Sequence, residues 1–102
     1  MTIQLDPEEQ ETQALFKIAG DFAGLRVLEI GCGDGRLTRR YAGMAGFVDA
    51  IDPDIDRITR ARQDKPAVLR GRVVFHHAGL DQFYARHKRK GKYDLALLAW
   101  SL

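Results

Sequence analysis

An α/β fold built on a parallel sheet is the class this sequence predicts, and three observations carry the prediction. Short runs rich in β-branched and aliphatic residues, at 25–30, 47–51, 72–76 and 93–100, alternate with helix-like segments, the pattern that right-handed crossovers turn into a parallel sheet with helices on both faces. The last run, Leu95 to Trp100, is apolar without interruption, as in a strand buried on both faces. The first run passes straight into three spaced glycines, Gly31, Gly33 and Gly35, before a helical segment opens at Arg36.

Taken in order, Asp6-Pro7-Glu8-Glu9 reads as a capped helix start, with Pro at the first helical position and Glu three residues after Asp. That helix is expected to run to about Ala19, with Leu15, Ile18 and Phe22 at helical spacing covering the sheet. Residues 20–24 connect it to the first strand. After the glycines, Leu37, Tyr41 and Met44 mark the apolar face of a helix over about 36–42, and Arg36, Arg39 and Arg40 form its solvated side. The second strand leads to Asp52-Pro53 and a helix carrying Ile55, Ile58 and the stem of Arg62, stopped at Lys65-Pro66. The third strand ends at Phe75 or His76 and is followed by the loop His77-Ala78-Gly79; neighbouring side chains on a strand point to opposite faces, so His76 and His77 do not readily chelate one metal ion and read as a surface and a loop histidine. A short helix over 80–87, with Leu80, Phe83 and Tyr84, ends in the basic run Arg86-His87-Lys88-Arg89-Lys90-Gly91-Lys92. Basic residues there complement the helix dipole; a phosphate or nucleic-acid contact is the sharper alternative for the run.

Composition narrows the classes. The 102 residues are 45% hydrophobic and 29% charged, as in a single folded domain. A net charge of +2 does not by itself indicate a nucleic-acid partner. No apolar stretch approaches the roughly 20 residues of a membrane-spanning helix. The opening MTIQLDPEEQ is polar and acidic, unlike a signal peptide, so a cytoplasmic location is expected. The single cysteine, Cys32, forms no internal disulfide and sits between two glycines as a small packing residue.

The loop chooses among ligands. A dinucleotide fingerprint needs G-x-G-x-x-G, but Arg36 stands three residues after Gly33 and the third glycine comes early, at Gly35. Glu29, at the end of the strand before the loop, sits badly beside a pyrophosphate and well beside an ammonium group. These features favour a zwitterionic ligand.

The stretch VLEIGCGDG resembles motif I of the class I S-adenosylmethionine-dependent methyltransferases. Asp52, 21 residues beyond Gly31 and following a second apolar run, matches the family's ribose-binding acid, and Ala61-Arg62 falls where the family's continuation places it. The resemblance implies a Rossmann-like three-layer sandwich with strand order 3-2-1-4, counting the four strands above. It further implies that residues 1–102 form the N-terminal, cofactor-binding half of the domain, truncated after the fourth strand. The cofactor would be S-adenosylmethionine, contacted by Glu29, Gly31, Cys32, Gly33, Gly35, Asp52, Pro53, His77, Ala78, Gly79 and Ala99. The family often has Asp where His77 stands, against the adenine amine, and the Ala78 N–H would serve a ring nitrogen. The N/D-P-P-Y/F signature is absent, the sequence reading AWSL. No residue is therefore assigned to catalysis, no metal is expected, and the methyl acceptor, expected to be a small molecule, is not identified. A cofactor-binding or interaction module without catalysis is the alternative, and a nicotinamide dehydrogenase is disfavoured by Glu29 and Arg36. Lastly, an unpaired apolar fourth strand predicts self-association through its edge.

Overall fold

The computed structural model describes residues 2–5, 22–87 and 92–99. Each apolar run of the sequence becomes a strand because its alternate side chains find cover on a face of the sheet. Strands β1 (Thr2–Leu5), β2 (Arg26–Ile30), β3 (Phe47–Asp52), β4 (Val73–His77) and β5 (Leu95–Ala99) pair in the order β1-β5-β2-β3-β4, with every pairing parallel. The four expected strands thus lie as β4-β3-β2-β5, the predicted 3-2-1-4. Helices α1 (Arg36–Tyr41), α2 (Ile55–Asp64) and α3 (Leu80–Arg86), with a short 3-10 helix at Ala67–Leu69, complete the described elements.

Period-two burial produces two cores. Val27, Val48, Ala50, Val73, Phe75, Leu95 and Leu97 face the side covered by Leu37 and Tyr41 of α1 and Ile58 and Ala61 of α2. Leu28 and Ile51 face the other side, against Ala78 and Phe83, the latter the buried residue of α3. Sheet faces covered from opposite sides give the three layers. Phe22 is 1% exposed and stacks on Tyr41, with centroids 4.9 Å apart, so its role is core packing.

Local chemistry sets the helix boundaries. Asp54 caps α2: its side chain accepts the backbone N–H groups of Asp56 at 3.0 Å and Arg57 at 3.2 Å. The methyltransferase-like continuation commonly has Ser at this place, and either residue satisfies the first-turn donors. In α3 the Gln82 side chain reaches back to accept the Gly79 N–H at 3.1 Å.

Several expectations are corrected. Met44 does not extend the apolar face of α1, because Ala42 caps the helix and Met44, 40% exposed, closes a turn on the Tyr41 carbonyl. In α3 only Phe83 turns inward, while Leu80 and Tyr84 are exposed. β5 is not buried on both faces: Leu95 and Leu97 are buried on one, while Ala96 and Leu98 on the other and Ala99 at the end are partly open. The largest correction concerns the edge of β5. It is not unpaired, because Thr2–Leu5 adds a fifth strand in register Thr2↔Ala96 through Leu5↔Ala99, which supplies backbone partners along the side expected to be bare. The expected helix from Asp6 to Ala19, with Leu15, Phe16 and Ile18, lies outside the described residues, as do 88–91 and Trp100.

Candidate functional site

In an open parallel sheet, ligands bind beyond the carboxyl ends of the strands where the strand order reverses. Here the chain steps outward from β2 to β3 to β4, then returns to the other side of β2 as β5. The reversal lies between β2 and β5, and the glycine loop 31–35 leaves β2 at that point.

Hydrogen bonds anchor the loop to the next strand: the Gly31 and Cys32 N–H groups donate to the Ile51 carbonyl at 2.9 and 3.1 Å, and the Gly33 N–H donates to Asp52 Oδ2 at 2.9 Å. Gly31, Gly33 and Gly35 have φ of 80°, 58° and 82°, a region costly for residues with a Cβ. Space adds a second demand at two of them. A Cβ on Gly31 would lie 2.5 Å from the Ala99 carbonyl oxygen, and one on Gly35 would lie 2.8 Å from the Phe75 ring. Gly31 thus allows the ends of β2 and β5 to close on each other, and Gly35 seats α1 over β4.

Two carboxylates flank this loop in different settings. Asp52, 5% exposed, ends β3 and accepts from Gly33 through Oδ2 and from the Asp54 N–H through Oδ1 at 2.8 Å. These bonds fix its orientation, and a carboxylate with about four acceptor positions retains capacity for a cis-diol. Glu29 is fully buried beneath the loop, where its Oε1 accepts from the Thr38 and Tyr41 hydroxyls at 2.7 and 2.6 Å. Burial, then the nearby Glu29 charge, raises the Tyr41 hydroxyl well above its ordinary pKa, so Tyr41 remains a donor. Thr38 was not singled out from the sequence, and Tyr41 was read only as part of the apolar face of α1. The available signal is their i, i+3 spacing, which places two hydroxyls on one helix face opposite an acid-bearing strand.

The other candidate residues fall around the same edge. The buried Cys32 thiol is pushed far up by burial and by the charges of Glu29 and Asp52, so it stays protonated and is a packing residue. His77 pairs in register with Asp52, and its Nε2 lies 3.0 Å from the Pro53 carbonyl. The expected donor role of Ala78 is corrected: its N–H already donates to the Asp52 carbonyl at 3.1 Å, because the chain turns tightly from β4 into α3. The Gly79 N–H is likewise engaged, by Gln82. His76 and His77 do diverge, His76 turning to Asp49 on the sheet face and His77 to Pro53 at the edge.

A parallel sheet with a glycine loop and an oriented acid at its reversal point defines a nucleoside-type cofactor-binding fold. Residues 27–102 match the methyltransferase domain family, and the chain belongs to that family. It is 32% identical over 75 residues to the magnesium-protoporphyrin O-methyltransferase of Rhodobacter capsulatus, an alignment covering 74% of this chain and 34% of that protein. Among solved structures, it resembles an S-adenosylmethionine-dependent methyltransferase from Mesorhizobium loti (TM-score 0.69, 27% identity, 87% of this chain and 38% of that one). It also resembles the magnesium protoporphyrin IX methyltransferase of Synechocystis PCC 6803, solved with bound SAH (TM-score 0.65, 26% identity, 87% and 39%). The fold is that of class I S-adenosylmethionine-dependent methyltransferases, and the chain spans little more than a third of the length of these relatives.

Proposed function

We propose that this chain binds S-adenosylmethionine along the carboxyl edge of β2 and β3, as the cofactor half of an enzyme that methylates a small-molecule acceptor. The observation that carries the reading is Asp52, held at the strand end by the Gly33 and Asp54 N–H groups with acceptor capacity left for two ribose hydroxyls. The cofactor supplies a methyl group made electrophilic by its sulfonium. This chain's residues bind and orient it. The loop at Gly31, Cys32, Gly33 and Gly35 lies against its amino-acid portion, and Pro53, His77, Gly79 and Ala99 border the nucleoside. Glu29 contributes negative potential from below. Because the Ala78 and Gly79 N–H groups are engaged, the base is recognised mainly through packing and His77.

Methyl transfer gains chiefly from alignment and exclusion of water, which a rigid cofactor half provides. A small acceptor is supported by the relatives' printed activity on a protoporphyrin. Among the described residues no helix is long and apolar enough to cross a membrane.

Calorimetry with S-adenosylmethionine, with NAD as the comparison, tests the reading. The Asp52→Ala variant should bind the cofactor about 1.5–3 kcal/mol more weakly, the worth of hydrogen bonds to a charged acceptor. An unchanged affinity in a folded variant removes Asp52 from the site.

A further inference from the structure

Away from the cofactor edge, on the face carrying α3, Arg26, Asp49, His76, His87, Lys92 and Tyr93 line a cleft of about 300 Å³, near the lower end of ordinary small-ligand sites. Arg26 opens β2, so the cleft begins roughly 15 Å from the glycine loop, one strand length away. Its one lining carboxylate is already engaged: Asp49 Oδ1 lies 2.7 Å from His76 Nε2, and Oδ2 accepts from the Tyr93 hydroxyl at 2.5 Å. His87 follows the C-terminus of α3, packed 4.4 Å from the Phe83 ring and 5.3 Å from that of His76, centroid to centroid. Arg26 and Lys92 are exposed, and among the described residues neither side chain makes an ion pair or hydrogen bond. The nearby Asp94 carboxylate accepts the Arg26 backbone N–H at 2.9 Å and is not part of the lining. A satisfied carboxylate beside two uncommitted cations leaves an excess of positive charge, while the histidine rings are held by Asp49 and by the Phe83 carbonyl.

We propose that this cleft binds a small phosphate-bearing anion between the Arg26 guanidinium and the Lys92 ammonium, independently of the cofactor edge. Arg26 offers a planar fork suited to two phosphate oxygens, and Lys92 a point charge on the other side. The ring faces of Tyr93 and Phe47, which also lines the cleft, leave room for a small organic group on the phosphate. Two residues of the basic run 86–92, His87 and Lys92, line the site.

The test is NMR titration of the chain with inorganic phosphate at constant ionic strength, with acetate as the parallel arm. Saturable shifts at Arg26, His76, His87 and Lys92, stronger with phosphate than with acetate, are expected. The double variant Arg26→Gln/Lys92→Gln, at two exposed positions, should weaken phosphate binding about tenfold or more and leave S-adenosylmethionine binding unchanged. Linear, unsaturable shifts, an equal response to acetate, or undiminished phosphate binding by the double variant would each overturn the proposal.

Discussion

Glu29, Tyr41 and Asp49 show how one hydroxyl or ring can decide the behaviour of an acid. The buried Glu29 carboxylate takes hydrogen bonds from Thr38 and Tyr41. Removing the Tyr41 hydroxyl leaves the ring stacked on Phe22 but takes away a charge-assisted bond, so Tyr41→Phe should lower stability by about 1.5–3 kcal/mol. A urea midpoint equal to that of the parent would show that Thr38 alone suffices. Asp49 carries a pH dependence. Burial raises its pKa, but the hydrogen bonds from His76 and Tyr93, with the charges of His76 and His87, outweigh burial and hold it below the usual carboxylate range. A depressed folded pKa contributes stability above the unfolded value of about 3.9, and the contribution is lost as pH falls through the folded value. Thermal melts should therefore show a loss at the acid end that is shallower in Asp49→Asn; identical acid limbs would assign the loss to other groups.

Among the elements, α2 depends most clearly on a single residue. Its first-turn N–H groups are met by the Asp54 side chain, and only Ile58 and Ala61 are buried along it. With so small an apolar face, the cap forms a large share of what holds the helix in place. Asp54→Ala is expected to cost about 1 kcal/mol, read as a lower denaturant midpoint with an unchanged slope. A change in slope would instead indicate that the helix no longer folds with the sheet. The extent of α2 was legible in advance from Asp52-Pro53 before it and Lys65-Pro66 after it, whereas the capping role of Asp54 emerged only from the structure. The weak face of α3 was less legible, since Leu80, Phe83 and Tyr84 share a helical spacing and only packing decides which of them turns inward.

For the whole molecule, the pairing of β1 with β5 alters the expected solution behaviour. A bare β5 edge would invite pairing between copies; with Thr2–Leu5 in place, the intact chain should sediment as one species across micromolar concentrations. Deleting residues 1–5 should restore the hazard and give concentration-dependent sedimentation. Equal behaviour of the two chains would show that the β5 edge is not what governs association. The four-residue run Thr2–Leu5 carries too little periodicity to be distinguished from a loop, and only a partner strand, beginning at Ala96 opposite Thr2, makes it a strand.

The sequence by itself determined the alternation of strands and helices and the position of the glycine loop. Each of these rests on local signals: apolar runs, caps, and glycines required by φ near +58° to +82°. The tertiary structure decided what depends on which distant groups meet. It brought the Ala99 carbonyl over Gly31, directed the Ala78 N–H to Asp52, closed the β5 edge with the first residues of the chain, and gathered Asp49, His76 and Tyr93 from three separate segments. Such meetings follow from strand register and sheet order, and neighbouring residues carry no local record of them.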